Sequence, residues 1–156
     1  MIDLKINIRK LIVSILIPLL LSGLVSILVG GFTNYRDIIR PFFAPPGIVF
    51  PIVWTILYTL MGISYYIVDE STSLNKKEAK NIYIIQLIVN LLWSFIFFKF
   101  NWYLLAFIWI LLLIVLVILM IIRFTKISAL SGYLQIPYLI WLIFAAFLNF
   151  SIYLLN

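Results

Sequence analysis

The sequence predicts an all-α integral membrane protein, a bundle of five transmembrane helices that forms a single domain over residues 1–156. Hydrophobic residues make up 66% of the chain and charged residues only 10%, whereas a soluble domain is about 25% charged. Cutting the chain at its charged residues leaves five long apolar stretches, and each reaches the roughly 18 residues that cross a bilayer as a helix. The stretches are continuous rather than alternating, which argues against a β-barrel. We expect the five spans over about 11–30, 47–68, 81–98, 103–122 and 128–154.

The first span carries small residues on one face. They recur at four-residue steps, with one glycine beside them: Pro18, Ser22, Ser26, Gly30 and Gly23. Small residues at this spacing let helix backbones approach closely in lipid. We interpret the face as a packing surface, either within one chain or between two copies in a homodimer, with a functional role as the alternative.

The second span begins abruptly after a loop over about 31–46. The proline pair that ends at Pro46 cannot continue a helix from upstream, but Pro46 can sit in a first turn. Phe50, Trp54 and Tyr58 then follow at four-residue spacing. This spacing places three aromatic rings on one face of a helix.

The third and fifth spans combine aromatic rings with amides on one face. In the third span the residues at this spacing are Gln86, Asn90, Trp93 and Phe97. In the fifth span they are Gln135, Tyr138, Trp141, Ala145 and Asn149. Pro137 removes a helical hydrogen bond, so we expect a bend there. The fourth span is aliphatic, and Trp102 and Tyr103 at its start are typical of an interfacial aromatic belt.

Each of these side chains has an ordinary structural interpretation. A single amide in a membrane helix more often joins two helices than contacts a ligand, and a single ring is more often packing. Three spans that each place rings beside a polar group suit a flat, largely apolar ligand with a few polar handles.

Several function classes are excluded or disfavoured. The chain has no Cys and no His, which excludes metal sites and catalysis built on those residues, so we expect no metal. No charged residue lies in mid-span, which argues against proton-coupled transport and carboxylate catalysis. The net charge of +6 comes from short loops and fits anionic lipid rather than nucleic acid. We expect the basic run Lys76–Lys80 to be a solvated loop.

The basic residues also predict orientation. Eight of the eleven Lys and Arg lie at the amino terminus, in the 69–80 loop and in the 123–127 loop, and the other three lie in the 30–46 loop and the 99–102 turn. The positive-inside rule therefore places the amino terminus in the cytoplasm and the carboxyl terminus outside, in a bacterial-type cell membrane.

Three motifs are similar to those of one membrane protein family. Residues 43–58 resemble the signature W-x-P-P-G-x-x-F-x-x-V-W-x-x-L-Y of the translocator protein family, also called tryptophan-rich sensory proteins or TspO/MBR. Residues 86–98 resemble its segment Q-L-x-x-N-x-x-W-S-x-x-F-F, and residues 137–149 resemble P-Y-L-x-W-x-x-F-A-x-x-L-N. The chain departs from the first signature at Phe43, where the family has tryptophan.

The resemblance implies a cavity under the 31–46 loop, which acts as a lid. It also implies binding of porphyrins such as protoporphyrin IX, or of other hydrophobic small molecules, with no required cofactor. Carried over by position, the ligand-binding residues are Trp54, Asn90, Trp141 and Ala145, with Phe50, Tyr58, Trp93 and Phe97 near them, Tyr138 and Asn149 in the fifth-span motif, and Tyr35, Phe43 and Pro45 in the lid.

Alternatives to simple binding stay open. Some family members are reported to degrade porphyrin in light, which makes Trp54, Trp93 and Trp141 candidates for light- and oxygen-dependent chemistry. Transport of tetrapyrroles or lipids is another alternative, and whether the protein is an enzyme is undecided. Sterol binding is not carried over, because no basic residue follows Tyr153 as a sterol motif would need.

Overall fold

The computed structural model describes residues 5–31 and 33–156, and these residues form an all-helical bundle without a strand. Five of its helical segments are long and apolar enough to cross a membrane, which confirms the predicted fold class. Residue 32 of the predicted lid loop lies outside the described residues. The helices are α1 (Ile8–Leu28), α2 (Thr33–Asp37), α3 (Val49–Asp69), α4 (Lys76–Ser94, continued by a π-helical turn over Phe95–Lys99), α5 (Tyr103–Ile127), α6 (Ala129–Tyr133) and α7 (Ile136–Leu155).

Charged residues lie within helix ends, and this makes several predicted boundaries wrong. The run Lys76–Lys80, expected as a loop, is the start of α4. The Lys76 ammonium donates to the Asp69 carbonyl oxygen at 2.8 Å, and Lys80 pairs with the Asp69 carboxylate at 2.6 Å. A long basic side chain at the end of a spanning helix reaches the interface, so it need not end the helix. The same reasoning explains why α1 and α5 extend beyond the uncharged stretches.

The fifth span is interrupted beside Pro137, where a bend was predicted. The helix α7 begins at Ile136, which places Pro137 in the first turn, where its missing N–H would have no helical partner in any case. The predicted fifth span is instead divided into α6 and α7 by a turn at Leu134 and Gln135. The lid loop also differs from the expectation, because it contains the short helix α2.

The first helix packs mainly on α3, and the closest approach is made by a glycine of α3. A methyl group added at Gly62 would collide with the backbone of Ser14 and Ile15, whereas one added at Gly23 would meet no atom within 4 Å. Gly23 therefore makes no close helix contact within one chain, and a packing role between two copies stays a prediction. Pro18, one turn from the contact, has no N–H for the Ser14 carbonyl, which leaves this carbonyl without its usual helical bond.

Ion pairs join loops that the basic residues assign to one side. The Lys10 ammonium lies 2.7 Å from the Glu70 carboxylate, which ties α1 to the loop after α3. The Arg123 guanidinium lies 2.5 Å from the Glu78 carboxylate, which ties α5 to α4. The predicted grouping of these segments is confirmed, and the side that faces the cytoplasm stays a prediction.

The lid at the opposite end is held by hydrogen bonds. The Tyr35 hydroxyl donates to the Pro45 carbonyl at 3.0 Å. Burial raises the pKa of the Tyr35 phenol, and the Arg40 guanidinium, 4.7 Å from the ring centre, offsets part of that rise. The Asn156 side chain bonds both backbone groups of Ile39, at 3.2 and 2.9 Å. Hydrogen bonds thus join two parts of the lid to each other and the lid to the end of α7.

Candidate functional site: an aromatic cavity between the helices

A cavity of about 280 Å³ lies inside the bundle, on the side of the lid. Helices α1, α3, α4 and α7 supply most of its wall, and α5 closes the back. The lining side chains are largely apolar, and none of those described is charged. They are Leu19, Ser22, Gly23, Ser26, Val29, Gly31, Phe50, Pro51, Trp54, Thr55, Tyr58, Asn90, Trp93, Ser94, Phe98, Ile110, Leu113, Trp141, Leu142 and Ala145.

The aromatic wall predicted on the second span forms one side of this cavity. Trp54 and Tyr58 are stacked, with ring centroids 5.3 Å apart. Phe50 meets Trp141 of α7 edge to face at 5.9 Å, and it also meets the lid residue Tyr35 edge to face, at 5.0 Å. The four-residue spacing therefore brings the rings together as expected, and Phe50 separates the lid tyrosine from the cavity.

A chain of hydrogen bonds holds the polar part of the wall. The Tyr58 hydroxyl donates to Asn90 Oδ1 at 2.6 Å, and Asn90 Nδ2 donates to the Tyr138 hydroxyl at 2.7 Å. The Tyr138 hydroxyl in turn donates to Gln86 Oε1 at 2.9 Å. All four side chains are buried. The Asn90 amide therefore joins α3, α4 and α7, which is the structural role that an amide in lipid most often takes.

Trp93 is fixed from behind by a second amide. Its indole N–H donates to Asn149 Oδ1 at 3.1 Å, and Asn149 Nδ2 donates to the Tyr103 carbonyl at 2.9 Å. The Phe97 ring stacks on Trp93 at 4.9 Å. Asn149 and Phe97 therefore position Trp93 without facing the cavity themselves.

Trp141 has the opposite environment. Its indole N–H is buried and has no hydrogen-bond partner among the described residues. Among the described side chains that line the cavity, only Trp141 has a buried polar atom without a partner. A buried donor without an acceptor costs about 1–3 kcal/mol. Ala145, one turn further along α7, leaves room beside the ring. The nitrogen itself is covered, so an acceptor atom of a ligand would satisfy the indole N–H only after the ring or its neighbours shift.

The structure places seven of the thirteen predicted binding residues in the cavity wall, namely Phe50, Trp54, Tyr58, Asn90, Trp93, Trp141 and Ala145. The other six lie in the layer behind it or in the lid, namely Tyr35, Phe43, Pro45, Phe97, Tyr138 and Asn149. Phe43 is 39% exposed and touches Phe144 edge to face at 6.5 Å. Whether any of the thirteen binds a ligand stays a prediction.

Sequence reasoning missed two parts of the wall. The small residues of α1, interpreted as packing, line the cavity at Ser22, Gly23 and Ser26. On α4 the lining ring is Phe98 rather than Phe97, because the π-helical turn adds a residue per turn and brings the next ring round to the cavity. The four-residue step from Asn90 through Ser94 to Phe98 was the available signal.

Comparison with known proteins agrees with this architecture. The profile of the TspO/MBR family matches residues 14–155. The chain is 40% identical to the Tryptophan-rich protein TspO of Archaeoglobus fulgidus, over 96% of this chain and 99% of that protein. It is 37% identical to the protein of the same name from Chlorobaculum tepidum, over 78% of each chain. It is 30% identical to the Translocator protein of Ovis aries, over 79% of this chain and 75% of that protein.

Proposed function

Because the chain belongs to the TspO/MBR family, we propose that it is a membrane receptor or sensor that binds porphyrins, such as protoporphyrin IX, in its aromatic cavity. Other flat, apolar molecules would bind there too. The observation that carries the proposal is the unpartnered indole N–H of Trp141 beside a largely apolar cavity lined by several rings. Such a site favours a flat ligand that stacks on the rings and offers one acceptor atom.

The ring geometry supports a planar ligand. Trp54 and Tyr58 present a stacked pair, and Trp93 is held at a fixed angle by its bond to Asn149. Rings that are already fixed lose little freedom when a ligand stacks on them, so more of the contact energy appears as affinity. Ring nitrogens and propionate oxygens of a porphyrin are suitable acceptors for the Trp141 N–H.

The size of the cavity sets a condition on this proposal. A volume of about 280 Å³ lies at the small end of ligand sites, which run from about 300 to 1,000 Å³. A tetrapyrrole macrocycle is larger than the cavity. It would therefore bind edge first, with part of the ring system projecting out of the cavity or displacing the lid.

The test is a titration of the purified protein with protoporphyrin IX in the dark, followed by porphyrin absorbance. Trp141→Phe keeps a ring but removes the N–H, and we expect Kd to rise about tenfold, or about 1.4 kcal/mol. The matched control is Trp102→Phe, because Trp102 is 56% exposed and stacks on Phe100 outside the cavity. Absence of saturable binding by the native protein would refute the proposed function. Equal effects of the two substitutions would refute the role of the indole N–H.

A second candidate function is light- and oxygen-dependent degradation of the bound porphyrin. It is favoured by one observation: three indoles, those of Trp54, Trp93 and Trp141, line the same cavity. A bound porphyrin is a photosensitiser, and indoles are readily oxidised. Porphyrin absorbance should therefore be followed with and without light and oxygen, for the native protein and for a Trp54→Phe, Trp141→Phe double variant.

The outcomes of this absorbance experiment distinguish between binding and degradation. Porphyrin loss only with light and oxygen, slowed in the double variant, would support degradation. Equal loss in both proteins would mean that the dye bleaches itself. Uptake of porphyrin into proteoliposomes would favour a third alternative, the transport of tetrapyrroles or lipids.

A further inference from the structure

We propose that hydrophobic ligands reach the cavity sideways from the bilayer, through an opening between α1 and α3 bounded by Gly23 and Thr55. The inference rests on the proposed function, because it concerns the route to the same cavity. Gly23 and Thr55 each line the cavity and are at the same time exposed on the surface of the bundle. These two residues therefore mark the side of the cavity on which it reaches the outside.

The opening follows from how the two helices pack. They run antiparallel and are in backbone contact where Gly62 meets Ser14 and Ile15. Ser22 and Gly23 lie seven and eight residues after Ile15, and Thr55 lies seven residues before Gly62, so each is about 10–12 Å along its helix from the contact. A side chain added at Gly23 would meet no atom within 4 Å, so no part of α3 packs against this position as α1 packs against Gly62.

A proline lies between the contact and the opening. Pro18 is inside α1. It has no N–H to donate to the Ser14 carbonyl, and its ring crowds that carbonyl, and these two effects commonly bend a helix. Ser22, one turn on, directs its hydroxyl back to the Leu19 carbonyl at 2.9 Å, a bond that also favours bending. The sequence of α1 thus provides two causes for a bend between the contact at Gly62 and the proposed opening.

The opening faces hydrocarbon rather than water. Gly23 lies five residues before the end of α1, and Thr55 lies six residues after the start of α3. At 1.5 Å per residue these positions are about 8–9 Å inside the helix ends, whereas half of the hydrocarbon core is about 15 Å thick. A molecule that enters here comes from the leaflet on the lid side.

The rim of the opening suits an apolar molecule. The Thr55 hydroxyl donates to the Pro51 carbonyl at 2.6 Å, and the Ser22 hydroxyl is bonded within α1 as well. Because these hydroxyls are already bonded to carbonyls of their own helix, an apolar group that passes them does not break a hydrogen bond to water. The alternative route through the lid would break the bond from Tyr35 to Pro45 and the two bonds from Asn156 to Ile39.

The test closes the opening chemically. The native chain has no cysteine, so a Gly23→Cys, Thr55→Cys double variant can be bridged by a short bis-maleimide in lipid nanodiscs. Binding and release of protoporphyrin IX are then measured in the dark by stopped-flow absorbance. We expect both rates to fall at least tenfold on bridging, measured against the same double variant left unbridged. A Gly23→Leu variant, which narrows the opening without chemistry, should slow both rates as well.

Two further bridges complete the design. A Glu78→Cys, Arg123→Cys pair ties α4 to α5 at the far end of the bundle, and its bridging should leave the rates unchanged. An Ile39→Cys, Asn156→Cys pair fixes the lid. Unchanged rates after bridging Gly23 to Thr55, or a tenfold loss of rate only when the lid is fixed, would overturn the proposed route. Failure of the native protein to bind at all would instead refute the proposed function.

Discussion

Replacement of Ala145 by leucine is the sharpest test of the cavity as a ligand site. Ala145 lines the cavity one turn from Trp141, so three added carbon atoms point into the space that a ligand would use. They occupy roughly 80 Å³, which is more than a quarter of the 280 Å³ cavity. At about 0.8 kcal/mol per buried methylene, a ligand excluded from that space loses about 2 kcal/mol, or roughly thirtyfold in Kd.

The assay is equilibrium titration with protoporphyrin IX in the dark, with thermal unfolding followed by circular dichroism as the check on folding. Ala129→Leu adds the same atoms at an exposed position of α6 and should bind like the native protein. A native Kd for a folded Ala145→Leu variant would show that the ligand does not occupy the space beside Trp141. The assignment of the binding site to this cavity would then be wrong.

Three other predictions follow from the packing and the charges. Gly62→Ala should lower the free energy of unfolding by about 1–3 kcal/mol, because a methyl group there collides with the backbone of α1. The control Gly23→Ala should change it by less than about 0.5 kcal/mol. Equal unfolding curves for the two variants would contradict the prediction. Asn149→Leu should leave the Trp93 indole N–H unpaired, lower the free energy of unfolding by about 1 kcal/mol and shift the tryptophan fluorescence emission. In a Trp93→Phe background the same substitution should cause no emission shift. A cysteine at Ser73 should react with an impermeant maleimide only after cells are opened; labelling of intact cells would reverse the proposed orientation.

The fold was predictable because lipid imposes a simple rule on sequence. A spanning segment must satisfy its backbone internally and present apolar side chains, so composition and run length suffice to identify it. Helix ends were less predictable, because Lys76 and Lys80 remain in α4 through bonds to a residue of the preceding helix. Partners of this kind are brought together only by the folded chain.

The binding wall was predictable where one helix supplies several rings, as α3 does with Phe50, Trp54 and Tyr58. Periodicity identifies a face but not what the face meets, and this is why the small residues of α1 were interpreted as packing although Gly23 borders open space. The shift from Phe97 to Phe98 accompanies the π-helical turn, and its one signal in the sequence was the four-residue step from Asn90 through Ser94. The motif resemblance likewise could not distinguish Asn90, in the wall, from Asn149, behind it.

The ion pairs described above give the bundle an asymmetry along the membrane normal. At the end away from the lid, Lys10–Glu70 and Arg123–Glu78 clamp neighbouring helices together, and the backbone contact at Gly62 fixes α1 to α3 on the same side of mid-membrane. At the lid end the fastenings are hydrogen bonds and ring contacts around an open volume. The contacts that fasten the helices are thus separated from the open volume along the membrane normal, so that substitutions in the cavity wall leave the fastened half of the bundle in place.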